Sequence, residues 1–399
     1  MKDGIGNDAE RPGVRLVAVG GGALGVVDRL RGTAWPEIVP VGFDTDAREL
    51  DRYPEIRSVR LGKALVRGLG CGGDGEMGRL AAESDRPLIA AALGGGELVV
   101  LVGCLGRGCA SGALPVMAGL IGETGCPTVA VVSTPFEFEG RRPAKLAREA
   151  LAAIRKSADC VIELPNDLLF QEAGESDRAD RIFDASDEWM SRAVTALAGP
   201  LFRPGKMSVD LATFRAALKG PESRIVFSTA RVPLAEGAAA AVKGIFECPL
   251  RSPGIERARA DRLLVSIGSA GALSAAAFAE LAAGVTKLFD SREDAVVGFW
   301  EDPALGADLE VTVLARTDLS SQPEPLYRSR PVEVHASKLD GRRATAGPVR
   351  VQTEFDSLLE DNERGLFGRM AVDEYNEVDL DKPTFLRRGI KIPMPKGFR

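Results

Sequence analysis

The chain has 399 residues, 45% of them hydrophobic and 27% charged, with a formal net charge of -6. That is enough for more than one hydrophobic core, since single cores stop growing at roughly 250–300 residues, and the acidic balance argues against a nucleic-acid binder. No apolar run reaches the ~18 residues of a membrane span, six scattered cysteines form no CxxC pair, and the one histidine, His335, leaves no basis for a His-centred triad or metal site.

The 45 glycines fall in clusters. After a polar tail at 1–12, short apolar strands alternate with helical stretches. Strands are expected at Val14–Val19, Glu37–Phe43, Leu98–Gly103, Thr128–Ser133 and Cys160–Leu164. Nearly continuous apolar strands separated by helices predict a parallel sheet covered on both faces. A helix is predicted over about Arg178–Leu197, with Ile182, Ala185, Trp189, Ala193 and Leu197 on one face and Pro200 and Pro204-Gly205 ending it. Strands at Arg224–Val232, Arg262–Ile267 and Leu309–Ala315, with alanine-rich helices at 234–247 and 273–288, form a second, smaller α/β unit. The polar, proline-spaced stretch 318–375 reads as a flexible linker, ending in a tail at 376–399.

Glycine loops follow the strands. Gly20-Gly21-Gly22-Ala23-Leu24-Gly25 matches GxGxxG, with Asp44 about 20 residues on. By itself this fits a nicotinamide-dinucleotide oxidoreductase. Three further loops point elsewhere: Gly68–Gly73, Gly106–Gly112 and Gly140-Arg141-Arg142 after Phe136-Glu137-Phe138-Glu139. Several glycine-lined strand ends suit a triphosphate lying across the sheet, because open backbone N–H groups and helix N-termini bind anionic oxygens. The Walker pattern GxxxxGK[ST] is absent.

The order of these motifs resembles the tubulin/FtsZ family of GTPases. Val17–Gly22, Asp44-Thr45-Asp46-Ala47, Arg67-Gly68-Leu69-Gly70, Pro135–Gly140, Leu164-Pro165-Asn166-Asp167 and Arg203-Pro204-Gly205 carry the likeness, and Asp379–Arg388 is similar to the family's adaptor-binding end peptide. The resemblance implies a GTP-binding domain at 13–177, a central helix and catalytic loop at 178–220, and an α/β domain at 221–317. It implies GTP/GDP as ligand, with Mg2+ alongside. The phosphates would lie on Gly20, Gly21, Gly22, Gly72, Gly106, Gly108, Cys109, Ala110 and Ser111, the ribose on Glu139 and Arg142, and the base on Asn166, Phe183 and Asp187. Asp210 would be catalytic, acting on the nucleotide of a neighbouring subunit in a head-to-tail filament. Pro383, Phe385, Leu386 and Arg387 would bind membrane-tethering division adaptors, placing the protein in the cytoplasm at mid-cell. Two departures stand out. The signature loop at Gly106–Gly112 keeps only Gly106, Gly108 and Gly112 of the family glycines, and the family's second catalytic-loop aspartate is Thr213. The resemblance therefore implies slow hydrolysis or, alternatively, a GTP-gated scaffold without turnover.

Overall fold

The computed structural model describes residues 13–30, 40–94, 97–170, 179–203, 205–219, 224–250, 260–271, 273–291, 295–317, 374–375 and 378–379. The chain divides into a unit spanning Met1–Tyr327 and one spanning Arg328–Arg399. In the first, the strands are β1 (Val14–Val19), β2 (Val41–Asp44), β3 (Arg57–Arg60), β4 (Leu98–Cys104), β5 (Thr128–Thr134), β6 (Cys160–Pro165), β7 (Arg224–Pro233), β8 (Ala260–Ser269), β9 (Val296–Glu301) and β10 (Asp308–Thr317). The helices are α1 (Gly21–Leu30), α2 (Ala47–Asp51), α3 (Lys63–Val66), α4 (Gly75–Ser84), α5 (Arg86–Leu93), α6 (Gly108–Glu123), α7 (Arg141–Ser157), α8 (Asn166–Phe170), α9 (Ala179–Phe202), α10 (Leu211–Leu218), α11 (Gly237–Phe246) and α12 (Ala275–Leu288).

The strands form one ten-stranded sheet in the order β3-β2-β1-β4-β5-β6-β7-β10-β8-β9. Neighbours run parallel except β10, which is antiparallel to both β7 and β8. Alternation along the strands sorts the core into two layers. Leu16, Ala18, Val100 and Val102 face α1, α9 and α10, whereas Val17, Val19, Val99 and Leu101 face α4–α7. Both faces are covered, which is why the parallel strands read as unbroken apolar runs. A third cluster packs α11 and α12 against β7, β8 and β10. The expected α/β architecture, a parallel-sheet domain with a central helix and a smaller α/β part, is therefore present. The joint expected near residue 220 falls between β6 and β7, which meet through the single register pair Ile162–Ile225.

Pro200 does not end the central helix. It lies inside the last turn, and α9 ends at Phe202, between the two expected stops; the proline costs the one backbone bond that its missing N–H would have made. The edge strands β3 and β9 and the helices α2–α5 are not among the elements expected from the sequence. Beyond 317, Glu374–Tyr375 pairs antiparallel with Val378–Asp379. The rest of the expected linker and the tail residues Pro383, Phe385, Leu386 and Arg387 lie outside the described residues.

Candidate functional site

Strand order reverses direction between β1 and β4, and in open α/β sheets a ligand crevice lies outside the carboxyl ends of the strands at such a point. The glycine loops singled out in the sequence gather at that rim. Two helices begin there. In α1 the first backward bond is Leu24 N–H to Gly20 C=O, at 3.2 Å. In α6 it is Ser111 N–H to Arg107 C=O, at 3.1 Å. The N–H groups of Gly21, Gly22 and Ala23, and of Gly108, Cys109 and Ala110, are thus the donors a helix start leaves open, and each start carries a partial positive charge.

The two starts touch. A Cβ on Gly20 would come within 3.3 Å of the Ala110 side chain, and Gly20 has φ +89, where L side chains are strained. Gly20 N–H also donates to Phe43 C=O at 2.8 Å, tying β1 to β2. A Cβ on Gly108 would sit 2.7 Å from both Asp74 O and the Cys71 side chain. The turn holding Gly72 and Gly73 is therefore pressed against the start of α6. That turn is closed by Asp74 N–H to Cys71 C=O at 2.9 Å, and Asp74 caps α4.

The side chains of this loop point inward. The Ser111 hydroxyl accepts the Gly106 N–H at 2.9 Å within a buried setting, so it shapes the loop. Cys109 is 8% exposed; burial pushes its thiol well above the ordinary range, with Asp44 adding to the effect and hydrogen bonds from Thr45 opposing it. Asp44 is itself 4% exposed and accepts the N–H groups of Thr45 at 2.6 Å and Asp46 at 3.0 Å. Burial raises its carboxyl despite those bonds. A dinucleotide site needs the acid after the second strand to face a ribose. Here that acid is turned into its own loop.

The other end of the crevice is aromatic and acidic. Phe136 stacks on Phe138 with ring centroids 4.9 Å apart, and Phe183 meets both edge-on at 5.4 and 6.3 Å. Phe138 and Phe183 stay largely exposed. Asn166 is buried and its side-chain oxygen accepts the Ser186 hydroxyl at 2.7 Å, which fixes the amide on the face of α9. One turn on from Phe183, Asp187 lies half-buried, 3.7 Å from the Arg29 guanidinium, which also holds Asp184 at 2.8 Å. Burial raises the Asp187 carboxyl and Arg29 opposes it. Gly25 leaves room beside Tyr53 and Asp187: a Cβ there would be 3.1 Å from the tyrosine hydroxyl. Glu139 accepts the Phe136 N–H at 3.0 Å, and Arg142 is exposed in the first turn of α7.

Asp210 belongs to the opposite rim. Helix α9 spans 24 residues, about 36 Å at 1.5 Å per residue, with Asp187 near its start and the 205–210 loop after its end. Phe299 N–H to Met207 C=O at 2.9 Å and Val209 N–H to Pro200 C=O at 3.1 Å hold that loop. Arg215, on α10, bonds Asp159 at 3.2 Å, and Asp159 accepts the N–H of Thr128 at the start of β5. The exposed Asp210 therefore sits by the amino ends of the strands. The structure thus brings together the residues expected to bind GTP, from Gly20 through Asp187, along one crevice at the carboxyl rim. It sets Asp210 apart from them, at the far ends of the same strands.

Sequence reasoning passed over Thr45, Arg29, Ser186 and Phe138. Each acts through a neighbour distant in sequence: Thr45 through Cys71 and Cys109, Arg29 through Asp184 and Asp187, Ser186 through Asn166 and Phe138 through Phe183. Of these, Thr45 and Phe138 carried a signal, their places in the quoted Asp44–Ala47 and Pro135–Gly140 motifs.

Residues 36–174 match the family model described as Tubulin/FtsZ family, GTPase domain. The chain is 28% identical over 386 residues to the cell division protein FtsZ of Pseudomonas aeruginosa, covering 96% of this chain and 91% of that one. It is 28% identical over 400 residues to the FtsZ of Pseudomonas putida, covering 96% and 98%. Among solved structures, an empty FtsZ dimer from M. jannaschii superposes with a TM-score of 0.72 at 26% identity, over 78% of this chain and 89% of that chain. A GTPγS-bound CetZ2 protofilament from Haloferax volcanii shares the fold, with a TM-score of 0.64 at 22% identity over 76% and 92%. The glycine loops, the strand order that gathers them and these likenesses agree: residues 36–174 match the GTPase domain of the tubulin/FtsZ family, and the chain is similar to FtsZ proteins along most of its length.

Proposed function

We propose that this chain is a GTP-binding protein of bacterial cell division that polymerises head to tail and hydrolyses GTP slowly at the subunit interface. The observation that carries this reading is the separation of parts. Open N–H donors and the aromatic cluster of Phe136, Phe138 and Phe183 lie at one rim, and the exposed Asp210 lies at the other. A carboxylate that cannot reach its own crevice can complete the crevice of the next subunit, and a head-to-tail contact of that kind propagates into a filament.

In this reading the N–H groups of Gly21, Gly22, Gly108, Cys109 and Ala110 bind the phosphates, with Gly20, Gly72 and Gly106 allowing close approach. Ser111 holds the loop in shape. Glu139 and Arg142 serve the ribose, while Phe183 stacks on the base. Asp187 accepts the N1–H and N2–H of guanine, and Asn166 borders the same edge. The glycine cradle fits a triphosphate, since side chains at Gly20 or Gly108 would fill it. Mg2+ would be held chiefly by phosphate oxygens and water, as is usual for that ion, and would neutralise charge developing on the phosphates. Asp210 would orient the attacking water. Pro383, Phe385, Leu386 and Arg387 would engage membrane-tethering adaptors at the cytoplasmic face of the division site.

A second reading, a GTP-gated scaffold without turnover, is favoured by Thr213, which supplies no second carboxylate and bonds Asp210 instead. Phosphate release measured across protein concentration separates the two. Turnover that rises with assembly supports the enzyme, and GTP-dependent pelleting with no release above background supports the scaffold. Absence of GTP binding would overturn both.

A further inference from the structure

Three cysteines lie at the nucleotide rim, and the sheet sorts them. Cys104 packs on the α1–α9 side, 3.8 Å from Met190 Sδ. Cys71 and Cys109 both belong to the opposite layer. There they share one neighbour. Thr45 Oγ1 is 3.2 Å from Cys71 Sγ, and both Thr45 and Cys71 lie near enough to the Cys109 thiol to bear on its ionisation. The backbones are close as well, since a Cβ on Gly108, the residue before Cys109, would be 2.7 Å from Cys71 Cβ. Cys71 is partly exposed beside Gly72 and Gly73, which have open space at their Cβ positions, whereas Cys109 is buried.

We propose that Cys71 and Cys109 form a modification site: a thiol pair that hydrogen peroxide closes to a disulfide, clamping the Cys71–Asp74 turn to the start of α6. The exposed member reacts first. The Cys71 thiolate attacks one peroxide oxygen, the O–O bond breaks, and hydroxide leaves as water, giving a sulfenic acid. Cys109 sulfur then attacks Cys71 sulfur and expels a second water. Two thiols lose two electrons and two protons in all, and the peroxide is reduced to two waters. A dithiol reverses the step by exchange. Burial holds both thiols protonated, so closure is slow and needs sustained oxidant. Drawing the turn inward displaces Gly72 and the first N–H groups of α6. If those groups bind phosphate, as the proposed function holds, the oxidised protein loses GTP affinity.

The test uses the full chain treated with hydrogen peroxide, alkylated with N-ethylmaleimide and mapped without reduction. The expected product is a Cys71–Cys109 peptide pair that disappears with dithiothreitol, is absent in Cys71→Ser and persists in Cys104→Ser. Recovery of both cysteines as alkylated thiols, or oxidation of Cys71 beyond sulfenic acid while Cys109 stays free, would overturn the pair. GTP affinity is then compared before and after oxidation. At least a tenfold loss, reversed by dithiothreitol and missing in Cys71→Ser, is expected; unchanged affinity in the bridged protein would overturn the clamp. Failure of the reduced protein to bind GTP would instead count against the proposed function, because the peptide map does not depend on it.

Discussion

Thr213 holds both carboxylate oxygens of Asp210: its N–H donates to Oδ1 at 2.8 Å and its hydroxyl to Oδ2 at 2.9 Å. The first bond caps α10, and together they lower the Asp210 carboxyl below its ordinary value. Asp210 is thus ionised at neutral pH and also committed to its own helix. Asparagine caps a helix about as well as aspartate but lacks the charge. Asp210→Asn is therefore expected to leave thermal stability nearly unchanged while GTP turnover falls by about 10²–10⁴-fold, the range for losing a general base. Equal turnover in the two proteins would remove Asp210 from the chemistry.

Thr213→Asp supplies the carboxylate that the resemblance expects and releases Asp210 from the hydroxyl. Steady-state phosphate release is expected to rise by about tenfold or more, within the span a positioned base provides. A rate that does not rise would place the slow step elsewhere.

Asp187 gives a pH signature. Its carboxyl is raised by burial, partly offset by Arg29, so between the ordinary aspartate value of about 3.9 and the raised one the folded chain binds more protons than the unfolded chain. This group's contribution to stability therefore falls as pH rises through that window. In the proposed role of Asp187 GTP needs the ionised form, so stabilisation by GTP is expected to grow over the same window. Thermal shifts with and without GTP from pH 4 upward check the two opposite slopes.

The proposed role of Asp187 also makes it the residue that selects the base. Inosine triphosphate lacks the N2 amine, so Asp187→Ala should weaken GTP by roughly 10–100-fold, the equivalent of one charged hydrogen-bonding group. It should also narrow the gap between GTP and inosine triphosphate. Competition binding with both nucleotides tests this, and an unchanged gap would mean that Asp187 does not read the base.

Much of the layout is legible in the sequence because it depends on local pattern. Strands such as Val14–Val19 and Leu98–Cys104 are buried on both faces and read as apolar runs, and glycines mark the turns where the chain leaves them. What escapes depends on approach between distant segments. The sequence reads Gly106–Gly112 as a loop, yet α6 begins at Gly108, because packing against Asp74 and Gly75 holds glycines in a helical turn that propensity disfavours. The Arg29–Asp187 and Thr45–Cys71 contacts join residues with no shared motif, so no spacing announces them.

If the Asp210 of one subunit completes the crevice of the next, two variants with complementary defects restore each other's turnover. Asp210→Asn keeps a sound crevice and lacks the donated carboxylate. Gly108→Ala keeps Asp210 and spoils the crevice, because its Cβ would meet Asp74 backbone atoms at 2.7 and 2.8 Å, an overpacking that costs about 1–3 kcal/mol. Each variant alone should release little phosphate from GTP. An equimolar mixture should regain turnover well above the sum of the two, through interfaces that join one good half from each. A mixture no more active than its components, with turnover in the unmutated chain strictly proportional to protein concentration down to the lowest dilution, would contradict that completion.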